Sequence, residues 1–250
     1  MKSALALAVL LVAALPAGAA AQPPTKVQRG ENLYGQSCIR CHGPNGAGLV
    51  EPAAIPSALE QPSLGPPLRG VGALAADFYL RTGYMPLVSP FDVPKRKTPR
   101  FPQKDIDALV AYIASLGGGP AVPQPHPERG RLSSGLKLFT EHCAGCHQVV
   151  AEGGVVTDTR VPPLEDSSPT QIAEAVRIGP YLMPRFSKRD ISDAQLDSII
   201  RYVQYAKNPD DRGGWALGHL GPVPEGMVTW LLAGAVLVAL TLTIGKRVNR

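Results

Sequence analysis

Histidine, cysteine and methionine are scarce in this chain of 250 residues, which holds 5, 4 and 4 of them. So few candidates allow every potential metal ligand to be weighed by name. Aromatic side chains make up 6% of the sequence, and no segment joins a dense basic face to stacking rings. A nucleic-acid surface is therefore excluded in spite of a formal net charge of +5. Residues 22–119 carry 10 basic and 7 acidic side chains and residues 120–212 carry 11 and 12, so the excess lies in the first half and at the two termini. Between residues 22 and 226 no apolar run is long enough to cross a membrane. What is abundant is 26 Gly and 26 Pro, over a fifth of the chain. That composition favours short helices joined by irregular segments and argues against long strands. The length admits one large domain or two small ones.

Both ends carry targeting signals. Met1 and Lys2 precede an apolar run from Ala4 to Leu15, and Ala19, Ala20 and Ala21 form a small-residue stretch before Gln22. Residues 1–21 read as a signal peptide cleaved after Ala21, with an uncleaved anchor as the alternative. The run falls short of the roughly 17 to 25 residues that a membrane span needs. Met227 to Ile244 is an uncharged 18-residue stretch with Trp230 near its start, followed by Lys246, Arg247 and Arg250. It reads as a transmembrane helix over 227–245 with a cytoplasmic tail at 246–250. The basic residues beyond the helix place the C-terminus in the cytoplasm and everything from the signal peptide to Gly226 outside it.

The cysteines fall in two pentapeptides, Cys38-Ile39-Arg40-Cys41-His42 and Cys143-Ala144-Gly145-Cys146-His147. Cys-x-x-Cys-His is the attachment signature of c-type haem. Each thiol adds to a haem vinyl group, and the adjacent histidine is then held beneath the ring with one imidazole nitrogen free for the iron. A zinc site built from both pairs is the strongest competitor, but about a hundred residues separate them where compact zinc sites use some 15 to 20. A dithiol redox centre lacks its βαβ context, and two disulfides would leave both histidines unexplained. Export strengthens the haem reading, because bacterial covalent attachment takes place outside the cytoplasm.

An electron-transfer haem takes a second axial ligand, often a methionine thioether, which raises its potential. With Met1 in the leader and Met227 in the membrane helix, Met85 and Met183 remain, one downstream of each pentapeptide. Each precedes a proline (Met85-Pro86, Met183-Pro184) and follows an Arg-x-Gly. Proline stops the helix there and leaves the thioether on an irregular loop. His126 in a Pro-rich stretch, His142 next to Cys143, and His219 near the membrane helix are the histidine alternatives, and they read as solvated or interfacial.

The pentapeptides belong to a longer repeat. Gly30, Leu33, Tyr34 and Cys38 recur as Gly135, Leu138, Phe139 and Cys143 at one constant offset, as one face of a helix. Pro66-Pro67-Leu68 recurs as Pro162-Pro163-Leu164, where a carbonyl could accept the histidine N–H. Ile106, Asp107, Leu109, Val110, Tyr112 and Ile113 recur as Leu196, Asp197, Ile199, Ile200, Tyr202 and Val203 at helical spacing. The spacing predicts first and last helices that cross beside the cofactor. Two domains follow, at 27–119 and 128–208, joined by a stiff Pro-rich linker at 120–127; residues 209–226 form a juxtamembrane segment. Lys95, Arg96, Lys97 and Arg100 offer a basic docking surface for an acidic partner, or a plain solvated loop.

This layout resembles two class I cytochrome c domains in tandem, an all-α fold, over about residues 27–208. The whole chain is similar to the dihaem cytochrome c subunit of actinobacterial-type cytochrome bcc quinol reductases, above all in Leu220-Gly221-Pro222-Val223-Pro224-Glu225-Gly226, Arg81-Thr82-Gly83-Tyr84-Met85-Pro86-Leu87 and Ala114-Ser115-Leu116-Gly117-Gly118-Gly119-Pro120. The resemblance implies two covalent haem c groups, one on Cys38, Cys41, His42 and Met85 and one on Cys143, Cys146, His147 and Met183. It implies cytochrome b and Rieske iron-sulfur subunits as partners, and a terminal cytochrome oxidase as acceptor, often in a supercomplex. Membrane lipid meets the C-terminal helix. Electron relay needs no acid, base or nucleophile. A free-standing carrier, a periplasmic dehydrogenase subunit, a cbb-type oxidase subunit and a dihaem peroxidase remain as competing classes.

Overall fold

The computed structural model describes residues 24–50, 63–89, 92–156, 159–210 and 222–248. The leader at 1–21, His219 and most of the juxtamembrane segment lie outside the described residues. The chain divides after Gln204 into two units.

In the first unit, helix α1 (Lys26–Ser37) starts from a capping box: the Gln28 N–H donates to the Thr25 hydroxyl while the Gln28 side chain accepts from the Thr25 N–H. It runs into the single turn α2 (Ile39–His42). Antiparallel β1 (Leu49–Val50) and β2 (Ser63–Gly65) follow, then α3 (Gly72–Arg81) and α4 (Gln103–Ser115). The second half repeats the order with α5 (Leu132–His142), α6 (Ala144–His147), antiparallel β3 (Gly154–Val156) and β4 (Thr159–Val161), α7 (Pro169–Ile178) and α8 (Asp193–Lys207). The strands are two or three residues long, so the fold is all-α in substance.

The repeated glycine explains how the helices meet. A Cβ on Gly30 would overlap the Ala108 carbonyl, and one on Gly135 would overlap the Ser198 carbonyl. First and last helices therefore cross in backbone contact, as the repeat predicts. One turn on, the Tyr34 and Tyr112 rings lie 5.2 Å apart at 50°, and those of Phe139 and Tyr202 lie 5.3 Å apart at 52°. Ile106, Leu109, Tyr112 and Ile113 of α4, and Leu196, Ile199, Ile200 and Val203 of α8, fill the two cores.

The linker is fixed at both ends. The Leu74 N–H of α3 donates to the Pro120 carbonyl at 3.0 Å; the His126 N–H donates to Asp197 of α8 at 2.7 Å, and the Arg131 N–H to the Ser198 hydroxyl at 3.1 Å. Moreover, α3 of the first half packs directly on α7 of the second. The halves thus share a face as well as a tether.

In the second unit, helix α9 (Pro222–Val248) extends past the sequence-read span at both ends. Pro222 and Pro224 are tolerated because N–H groups of the first helical turn have no intrahelical carbonyl to bond, so a residue without one loses nothing there. Its apolar stretch, Gly226–Val248, has no buried residue. A helix that exposes Leu231, Leu232, Val236, Leu237, Leu240 and Ile244 all round matches a bilayer, not water.

Candidate haem-binding sites

Each attachment pentapeptide forms one helical turn at the end of the domain's first helix. Cys41 and His42 both donate backbone N–H to the Cys38 carbonyl, at 3.1 and 2.9 Å; Cys146 and His147 repeat this on Cys143 at the same distances. The i, i+3 spacing sets both sulfurs on one side of the turn. The chain then reverses through positive φ at Gly43 in one domain and Gln148 in the other. All four thiols are free of disulfides. Burial, and then the neighbouring thiol, push Cys38 and Cys143 up to about 11, the opposite of the low-pKa nucleophile of a dithiol redox centre.

The histidines are held differently. His42 Nδ1 lies 2.8 Å from the Pro66 carbonyl, and a carbonyl only accepts, so Nδ1 carries the proton and the Nε2 lone pair is left for a metal. Gly65 makes this approach possible, because a Cβ there would press on the Cys41 carbonyl at 2.5 Å and on His42 Nδ1 at 3.1 Å. His147 is buried, and among the described residues no hydrogen bond of good geometry reaches its Nδ1. Burial lowers its pKa, with the Pro162 carbonyl opposing, and favours the neutral, ligating form. The repeated Pro-Pro-Leu thus performs the role read from sequence fully at Pro66 and more loosely at Pro162.

Met85 is half-buried against the α1–α4 core, on the same cluster as Cys38, Leu33 and Leu68. Its N–H donates to the Tyr79 carbonyl at 3.0 Å, and the loop is fastened by Lys97 N–H on the Thr82 carbonyl at 3.0 Å. Gly83 (φ 69°) is obligatory there, since a Cβ would overlap the Lys97 carbonyl. Met183 is half-buried too, held by its N–H on the Pro180 carbonyl at 3.0 Å, with Tyr181 and Leu182 exposed beside it. Of the competing histidines, His126 turns Nδ1 to Glu128 at 3.1 Å, and His142 stacks edge-on with Phe186 at 6.2 Å.

Sequence reasoning singles out Arg-x-Gly only as context for Met; the structure gives its arginine work. Arg81 joins α3 to α4 through Asp77 and Asp107. Arg177 donates to the Phe186, Ser187 and Ile191 carbonyls and pairs with Asp193, bracing the segment that follows Met183. The basic loop is also changed in meaning. Arg96 reaches into the other half and donates to the Ser167 hydroxyl at 3.1 Å, the Asp166 carbonyl at 2.8 Å and Gln171 Oε1 at 3.0 Å, so it is no part of a free docking surface.

The donor set fits covalent haem: paired thiols on one turn, a neighbouring imidazole, and a loop-borne thioether in each half. Comparison with known proteins agrees. A family model described as Cytochrome c matches residues 27–117, and one described as Cytochrome C oxidase, cbb3-type, subunit III, matches residues 130–203. The cytochrome bc1 complex cytochrome c subunit of Corynebacterium diphtheriae is 35% identical over 239 residues, covering 88% of this chain and 81% of that one. Its counterpart in Mycobacterium tuberculosis is 36% identical over 231 residues, with 88% and 78% covered. The cbb3-type cytochrome c oxidase subunit CcoP of an Azospirillum strain is 26% identical over 195 residues, with 70% and 60% covered.

Proposed function

This chain belongs to the cytochrome c subunits of cytochrome bc1 complexes, and from that premise we propose that it relays electrons from the Rieske iron-sulfur centre of a quinol reductase to a terminal cytochrome oxidase. It is an electron-transfer protein with two cytochrome c domains and two covalent haem c groups, and it is membrane-anchored by α9. The observation that carries the proposed path is the pairing of two like attachment turns in one unit. A single relay needs one such site; a chain that replaces both a reductase cytochrome and a mobile carrier needs two.

In this reading Cys38, Cys41, His42 and Met85 hold the first haem, and Cys143, Cys146, His147 and Met183 the second. When bound, the haem iron supplies one-electron chemistry between its ferric and ferrous states. The chain's own residues hold and shield it. Pro66 orients the His42 imidazole through Nδ1; the Thr82–Lys97 and Arg177 contacts hold the methionine loops; the crossed aromatic pairs exclude water. No side chain donates or accepts a proton in the transfer. Lys246 and Arg247 in the last turn of α9 support a cytoplasmic C-terminus and extracytoplasmic haem domains. Cytochrome b is the partner assigned to the anchor.

Mild solubilisation and affinity capture through this chain tests the path. Cytochrome b, a Rieske protein and oxidase subunits in the eluate are the expected outcome; an isolated dehydrogenase in their place would refute it. The match of residues 130–203 to an oxidase subunit favours one second reading, a component of a cbb3-type oxidase. That reading requires the oxidase without cytochrome b.

A further inference from the structure

Glu174 on α7 has none of its surface exposed, and Asp77 on α3 is 5% exposed. The helices belong to different cytochrome domains and pack on one another. Arg81 donates through Nε to both Asp77 oxygens at 2.7 Å, and through Nη2 to Asp107 of α4 at 2.6 Å. Its single charge is thereby divided between two carboxylates. Among the described residues no N–H or O–H donor reaches either oxygen of Glu174, and Asp77 is its electrostatic partner from the helix packed against it. Other charges nearby are already engaged. Arg177 on the same helix is bound to loop carbonyls and to Asp193 of α8, and Arg96 holds the start of α7 through Ser167, Asp166 and Gln171. A dry carboxylate facing another, with no donor of its own, is tolerated only with a proton between them.

We propose that Glu174 carries a proton which it donates in a hydrogen bond to Asp77, and that this bond holds the two cytochrome domains in contact. With the proton, a hydrogen bond joins the carboxyl groups across the α3–α7 face; without it, two anions meet in a dry interface whose nearest arginine, Arg81, is already divided between Asp77 and Asp107. Burial first, then the charge and hydrogen bond of Asp77, push Glu174 up to about 9, against the pull of Arg81. Released to solvent, it would return towards 4.5. The docked form therefore keeps a proton that the separated form loses. Its advantage is fully present below the lower value and is lost as pH rises through about 9. The Arg96 contacts and the linker keep the domains tethered when the face opens. Because electron transfer falls steeply with distance, this proton site sets the reach of the step between the haem groups, whatever the outer partners are.

The test uses the full-length haem-loaded chain in bilayer discs, with spin labels on Lys104→Cys of α4 and Lys137→Cys of α5. Pulsed electron resonance should give a narrow distance distribution at roughly neutral pH and a broad one above about pH 9. Infrared titration should reveal a protonated-carboxyl band lost over the same interval. Glu174→Gln, whose amide donates to Asp77 without titrating, should lack that band and keep the narrow distribution throughout. A distance distribution that ignores pH in the labelled chain with Glu174 intact would overturn the proposal, as would the absence of a titrating carboxyl band. Should the glutamine variant fail to assemble, those two measurements with Glu174 intact still decide. Asp77→Asn then assigns the band.

Discussion

At the scale of single residues, the two domains anchor the turn after their histidine with the same chemistry from opposite sides. Tyr34 on the first helix donates to the Gly43 carbonyl at 2.7 Å and accepts from Gly46 N–H at 3.2 Å; in the second domain that position is Phe139, and Tyr202 on the last helix donates to the Val149 carbonyl at 2.7 Å. Tyr34→Phe leaves a buried donor and acceptor unpaired and should cost about 2 kcal/mol, read as a shift in denaturant midpoint. Tyr202→Phe, with one bond, should cost about 1 kcal/mol. Gly30→Ala brings two effects into competition. Helix propensity favours alanine by about 1 kcal/mol, but the new Cβ meets backbone at Ala108, and overpacking of about 1 to 3 kcal/mol dominates. Met85→Leu or Met183→Leu should each abolish one share of the near-infrared Met–iron band and lower one potential; two intact bands would disprove the ligand assignment.

Among the elements, α7 is the one on which most depends. Ser168 caps it with Gln171 in a capping box, and Arg96 bonds to both Ser167 and Gln171. Ser168→Ala should cost about 1 kcal/mol by thermal melting and weaken the Arg96 contact with it. The attachment turns, the methionine loops and the crossing helices are legible in the sequence because each is local or is repeated. Cys-x-x-Cys-His needs a single turn, Met-Pro a single loop, and Gly30 has Gly135 to confirm it. The α3–α7 face is not legible. Glu174 in Ile172-Ala173-Glu174-Ala175 looks like the polar side of an amphipathic helix, and Asp77 looks the same in α3; only docking turns two solvated charges into a buried pair. Arg96 is misread for the same reason, since a run of basic residues looks like surface until its partner helix is known. The short ladders β1–β2 and β3–β4 have too few residues to display alternation.

For the whole molecule, the anchor and the pair of domains make separable predictions. A chain ending at Asp210 keeps both cytochrome domains and loses α9, so it should leave the membrane fraction with its haem spectrum unchanged; retention on membranes would point to a second attachment. The α3–α7 contact, the Arg96 reach and the linker fixed at Leu74 and Asp197 act together on the relation between the domains. Two repeats on a loose tether would melt independently. Joined by these contacts they should unfold as one cooperative event, with calorimetric and van't Hoff enthalpies in agreement at neutral pH, and should resolve into two transitions once Glu174 is ionised. A lesion in either domain would then be felt by both, so a duplicated gene product behaves as a single unit of folding quality control.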